Sequence, residues 1–155
     1  MDMLKIGDKV REFQGIDQNG NTIKLSDYKG KKLIVFFYPK ASTPGCTAEA
    51  CSLRDGYTLL KEKGYELIGI SADSVKKQLN FSTKNNLNFP LIADENKQII
   101  ELFSVWGRKK FMGLEFDGIL RKTFILDENQ IITHIIDKVK TKNHTEQILE
   151  ILSQK

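Results

Sequence analysis

Leu33-Ile34-Val35-Phe36-Phe37-Tyr38 leads through Pro39-Lys40-Ala41-Ser42-Thr43-Pro44-Gly45 into Cys46-Thr47-Ala48-Glu49-Ala50-Cys51. The opening stretch is an unbroken apolar run of strand-forming side chains, and Pro39 ends it. A run without alternation predicts a strand covered on both faces, as in a parallel sheet. Beyond it, Thr43 and Pro44 read as a helix start, with Thr as the cap and Pro at the first helical position, where its missing N–H costs nothing. Ala50, Leu53, Tyr57 and Leu60 then recur at helical spacing on one apolar stripe, and Gly64 follows as a stop. A buried strand passing through a short loop into an amphipathic helix is the unit of an α/β protein.

The flanking sequence repeats the pattern. Gly15 to Leu25 reads as a hairpin turning at Asn19-Gly20, an N-terminal addition to the sheet. Tyr65 to Ala72 and Phe89 to Ala93 are further strands, as are Ile119 to Leu126 and Ile131 to Ile136 around the turn Asp127-Glu128-Asn129-Gln130. Between them, Val75, Leu79 and Ser82 mark one face of a second helix ending near Asn85-Asn86. Ile99, Leu102 and Phe103 mark a short third helix, and Ile148, Ile151 and Leu152 a last one starting at Asn143 or Thr145. The expected fold is an α/β sandwich around a mixed central sheet, in one domain spanning residues 1–155.

Composition sets the outer bounds. Apolar residues are 40% and charged residues 28% of the 155, an ordinary globular balance. Leu33 to Tyr38 is the longest apolar run, far short of the ~20 residues that span a membrane. Met1 to Lys5 show no secretory pattern, so a cytoplasmic location is expected. The 24 Lys and Arg against 20 Asp and Glu leave +4, spread along the chain rather than clustered, which argues against a nucleic-acid surface. The densest basic group, Arg108-Lys109-Lys110, reads as a solvated loop. Two cysteines are too few for a disulfide scaffold.

Their placement is informative. Cys46 falls in the predicted first helical turn, where free amides and the positive end of the helix dipole favour a thiolate. Gly45 before it allows close backbone approach. Cys46 also lies four residues before Ala50, on the stripe facing the protein body. Cys51 is about 140° round the helix and about 7.5 Å further along it, placing the Cα atoms roughly 8–9 Å apart. That exceeds the ~7 Å limit for a disulfide without backbone movement. The spacing suits a two-step redox cycle better than a static bridge. Two inert structural cysteines are the bland alternative. A zinc site lacks ligands at short spacing, since the only histidines are His134 and His144. Cysteine–histidine hydrolysis would need His134 as base, yet it lies in an apolar strand run where an outward or structural role is expected. His144, near a helix start, reads as surface.

Pro39, Thr43 and Cys46 reproduce the PxxxTxxC signature of the peroxiredoxins, and Cys51 five positions on is similar to the bacterioferritin comigratory protein, or Q-type, subgroup. Phe37-Tyr38-Pro39-Lys40, Leu53-Arg54-Asp55, Val105-Trp106-Gly107, Thr123-Phe124 and Lys140-Thr141-Lys142-Asn143-His144 extend the resemblance across essentially the whole chain. It implies a thioredoxin-like fold and thiol-dependent reduction of hydrogen peroxide and organic hydroperoxides, by a monomer without metal, haem or flavin. Cys46 would be the peroxidatic cysteine and Cys51 the resolving one, with thioredoxin or a similar dithiol as reductant. Thr43 would bond the peroxide, Pro39 would shield the thiolate, Arg121 would be the active-site arginine, and Glu49 would hold the hydrogen-bond network. No nucleic-acid or membrane partner is implied. Arg108 departs from the subgroup, whose members carry an acidic residue there, and bears on the charge of partner-facing surface. The rival readings are a redox-sensing adaptor, or a general thiol–disulfide oxidoreductase, which usually uses a CxxC spacing absent here.

Overall fold

The computed structural model describes residues 4–154, apart from the side chain of Phe111. The reading of Met1 to Met3 as part of a chain start without a secretory pattern lies outside the described residues. The elements run β1 (Gln14–Asp17), β2 (Thr22–Lys24), β3 (Lys32–Phe37), α1 (Pro44–Glu62), β4 (Tyr65–Ser71), α2 (Val75–Asn85) and β5 (Leu91–Ala93). They continue with α3 (Gln98–Leu102), β6 (Trp106–Phe111), β7 (Leu114–Ile119), β8 (Lys122–Leu126), β9 (Ile132–Ile136) and α4 (His144–Ser153).

Seven strands form one sheet in the order β2-β1-β5-β4-β3-β8-β9. β3 pairs parallel with β4 and antiparallel with β8, so Val35 lies between Ile68 and Phe124 at the centre of a mixed sheet. Burial explains the unbroken apolar run: Leu33, Val35 and Phe37 join one core with Phe103 and Phe124, while Ile34, Phe36 and Tyr38 join the other with α1, Phe81 and Ile148. Each fully buried side chain of this size stabilises by about 1.5–3 kcal/mol relative to exposure. Gly69 on β4 is required by close packing, because a Cβ there would sit 2.6 Å from the Phe36 ring. The α/β sandwich with its N-terminal hairpin is as expected, and the hairpin turns through Gly20 at φ +80.

Three local expectations are corrected. Ile119 to Leu126 is not one strand: Leu120 donates its N–H to Val105 O at 2.6 Å, which takes the chain off β7 and places Arg121 in the break before β8. Arg108-Lys109-Lys110 is not a loop but part of β6, which pairs with β7 as a separate two-stranded ribbon and matches Arg108 with Glu115 and Asp117. α2 buries Gln78, Phe81 and Ser82 and leaves Leu79 exposed. The polar Gln78 is tolerated inside because its amide donates to Ser71 Oγ and Ile92 O at 2.9 Å each, while Tyr38 donates its hydroxyl to Gln78 Oε1.

Candidate active site

The loop from β3 into α1 is held from one side by Asp73, whose Oδ2 accepts from Ala41 N–H at 2.8 Å and from Ser71 Oγ at 2.7 Å. Ser42 takes a left-handed backbone with φ 66, a strained turn that delivers Thr43 to the helix start. Thr43 occupies the N-cap position and Pro44 follows it, as expected. The Thr43 side chain, however, does not cap: its hydroxyl donates to Lys40 O at 2.8 Å. Donating there leaves its oxygen able to accept, and leaves the first-turn amides without a side-chain partner. An anion at this helix end meets unpartnered N–H groups and the positive end of the dipole.

Cys46 is in that first turn, buried at 1% exposure, and both cysteines are free thiols. Arg121 Nη2 donates to Cys46 Sγ at 3.3 Å and Nη1 donates to Glu49 Oε1 at 2.7 Å. One planar guanidinium thus spans a sulfur and a carboxylate a helical turn apart, a geometry lysine could not reproduce. Gly45 makes room for it, since a Cβ there would lie 3.2 Å from Arg121 Nη2. Burial works against the Arg121 charge, but Cys46 and Glu49 outweigh it and hold the pKa above the usual value. Glu49 is completely buried, and that burial pushes its carboxyl up to about 7 even though Arg121 pulls the other way. Lys109 on β6 lies in the same field: burial and then Arg121 lower its pKa, Cys46 opposes the shift, and its ammonium donates to Ile119 O at 2.8 Å.

Pro39 is half-buried where β3 gives way to the loop. Cys51 is half-exposed further along α1, where its Sγ donates to Asn85 Oδ1 across 3.8 Å. Arg54 Nη1 donates to Asn85 O at 2.7 Å, which holds the C-terminal end of α2 beside Cys51. Just beyond, α4 clasps α1: Thr145 N–H donates to Ser52 Oγ at 3.0 Å and Thr145 Oγ1 donates to Ser52 O at 2.6 Å. Gly56 is indispensable to this clasp, for a Cβ there would fall 2.1 Å from Thr145 Cγ2.

His134 is half-buried on β9 and bonds Thr133, away from these contacts. His144 is not on the surface as expected but fully buried, because the clasp carries the first residue of α4 inward. Its Nε2 lies 2.8 Å from Thr123 Oγ1 and 3.5 Å from Glu49 Oε2. No periodicity marked it, although its place at the N-terminus of a docked helix is a usable signal. Among the described residues, no three or more His, Cys, Asp or Glu side chains cluster to hold a metal, and no helix is long and apolar enough to cross a membrane.

Comparison with known proteins agrees with the geometry. The AhpC/TSA family pattern matches residues 6–135. The chain belongs to the AhpC/TSA family of peroxiredoxins. This peroxiredoxin is similar to peroxiredoxin Bcp of Escherichia coli K12, with 45% identity over 154 residues covering 99% of each chain. Among solved structures it resembles a cysteine-to-serine variant of Xylella fastidiosa PrxQ (TM-score 0.91, 28% identity, 98% of this chain and 97% of that one). It also resembles the Xanthomonas campestris bacterioferritin comigratory protein, which has alkyl peroxide reduction activity (TM-score 0.85, 30% identity, 94% and 97% covered). The peroxiredoxin is therefore a thiol-dependent peroxidase with a thioredoxin-like fold.

Proposed function

We propose that this peroxidase runs a two-cysteine cycle within one chain, with Cys46 as the peroxidatic and Cys51 as the resolving thiol. The Arg121 bond to Cys46 Sγ carries the reading. As thiolate, Cys46 attacks the terminal oxygen of a hydroperoxide, the O–O bond breaks, and the leaving oxygen takes a proton to become water or an alcohol. Cys46 is left as a sulfenic acid. Arg121 and the first-turn amides hold the two oxygens and stabilise the charge that develops on the departing one. Thr43 contributes a hydroxyl to the peroxide, and Pro39 keeps water from the thiolate. Glu49 holds Arg121 in place.

Cys51 then condenses with the sulfenic acid, forming a disulfide and releasing water. With both cysteines on α1, the helix end from Cys46 to Cys51 must unwind first. A dithiol of the thioredoxin class restores both thiols by exchange and is itself oxidised to a disulfide. Hydrogen peroxide and organic hydroperoxides are the substrates, the latter supported by the alkyl peroxide reduction of the Xanthomonas campestris relative. No cofactor enters, since sulfur carries the electrons. We read the chain as one domain and a cytoplasmic monomer, without nucleic-acid or membrane partners, in keeping with its modest +4 charge.

A peroxide-consumption assay coupled to a thioredoxin system, with mass spectrometry of the sulfur states, tests the cycle. Cys46→Ser abolishes consumption. Cys51→Ser gives one round of oxidation to the sulfenic acid and then stops. Sustained turnover by either variant overturns the reading.

A further inference from the structure

Glu49 Oε2 is the one buried side-chain oxygen among the described residues without a hydrogen-bond partner. A fully buried carboxylate oxygen in that state is costly unless it carries a proton with somewhere to point. The group 3.5 Å away is His144 Nε2. Its tautomer follows from its other nitrogen. Gln147 Oε1 lies 3.0 Å from His144 Nδ1 and also accepts from Lys140 N–H at 2.9 Å, while Gln147 Nε2 donates to Lys138 O at 2.8 Å. Gln147 therefore offers the ring an acceptor, and Nδ1 bears the hydrogen. Nε2 is left with a lone pair that accepts from the Thr123 hydroxyl at 2.8 Å, so the ring has no proton to offer Glu49 Oε2 and that oxygen must carry its own.

We propose that His144 is a positioning residue of this peroxidase: held as the neutral Nδ1–H tautomer, it leaves the one proton of the pair on Glu49, so that Arg121 keeps its charge for Cys46. The inference rests on the catalytic reading above only in naming Cys46 as the beneficiary. With that proton in place, the cation faces a single full anion; without it, two anions divide one guanidinium. The charged groups around the pair are few. Arg121 bears on both members, and Cys46 and Lys109 bear on Arg121 in turn. From β8, Lys122 is engaged by Asp137, and on α4 Glu146 and Glu150 are exposed.

Stability against pH reads the pair's proton directly. In the folded protein burial keeps the proton on Glu49 up to about pH 7, and burial keeps His144 neutral down to about pH 4. In the unfolded chain the ordinary values, 4.5 and 6.5, apply. Between those values each state binds one proton on the pair, on the glutamate when folded and on the histidine when unfolded. The pair then adds almost no pH slope to stability. Removing one partner exposes the other. In His144→Gln, the contribution of Glu49 is full below pH 4.5 and is lost as pH rises through about 7. In Glu49→Gln, the contribution of His144 is full above pH 6.5 and is lost as pH falls through about 4.

Denaturant unfolding of the reduced protein, each variant compared with the parent across pH 4–7.5, is the test. The unfolding constant of His144→Gln, relative to the parent, rises on the order of 100-fold with increasing pH, and that of Glu49→Gln rises similarly with decreasing pH. Nitrogen NMR shifts of His144 in the parent at pH 6 report a neutral Nδ1–H ring. Stopped-flow oxidation of the parent, normalised to its thiolate absorbance, slows as pH rises through about 7. That inflection is absent in Glu49→Gln and displaced in His144→Gln. Parallel pH slopes in both variants, an Nε2–H tautomer, or an inflection untouched by His144→Gln overturns the proposal. Failure of the two-cysteine cycle is separate, since it appears as sustained peroxide turnover by Cys46→Ser or Cys51→Ser and leaves the unfolding slopes unaltered.

Discussion

The surroundings of the two cysteines differ as much as two sites on one helix can. Cys46 is 1% exposed and meets a guanidinium from the β7–β8 break that is itself gripped by a buried carboxylate of α1, so two further side chains are organised around one sulfur. Cys51 is half-exposed and touches one amide oxygen through a long thiol contact of 3.8 Å. Under the proposed cycle, the contrast follows from the two reactions. Breaking an O–O bond develops charge that must meet donors already in position, because reorganising them during the reaction would add to the barrier. Closing a disulfide asks only that a thiol be free to travel. Rigid preparation belongs at one sulfur and weak tethering at the other.

Replacing Arg121 should break the contrast most severely. Arg121→Gln removes the cation from Cys46 while leaving Cys51 alone, and stopped-flow oxidation by hydrogen peroxide should slow about 100- to 1,000-fold. Loss of less than about threefold would mean the guanidinium is not part of the prepared site. Gly45→Ala tests the same preparation more gently. Its methyl arrives 3.2 Å from Arg121 Nη2 and displaces the fork, with an expected loss of about tenfold in the same measurement. Asn85→Ala acts on the other cysteine. Removing the weak contact should leave the first oxidation within about twofold and speed disulfide closure by a similar factor, read as free-thiol loss after a peroxide pulse. Slower closure would show that Asn85 guides Cys51 rather than merely resting against it.

How far each feature was legible depended on the range of the interactions behind it. The segment from Leu33 to Cys51 declared itself because strand burial, helix start and apolar stripe are all local patterns. Arg121 was visible only through family resemblance. Physically it depends on the Leu120 bond to Val105, a contact between the segment before β6 and the segment after β7. Gln78 defied the apolar stripe of α2 because its partners lie just past β3 and on β4 and β5, so a polar side chain pairs better there than Leu79 would pack. His144 was furthest from reach. Its burial comes from Thr145 meeting Ser52 across 93 positions of sequence, and locally only its place at the start of α4 hints at it. The β6–β7 ribbon likewise lacked the buried alternation that marks a strand, since residues 112–117 are all exposed.

The clasp of Thr145 over Ser52 and Gly56 has a kinetic corollary. In the proposed cycle only the tip of α1 comes apart, and everything past Ser52 stays wound as a seed. Regrowing a turn on an existing helix avoids the improbable nucleation step and proceeds on the order of nanoseconds per residue. Restoring the peroxide-binding end after each reduction is then a matter of zipping, far too quick to set the pace of turnover.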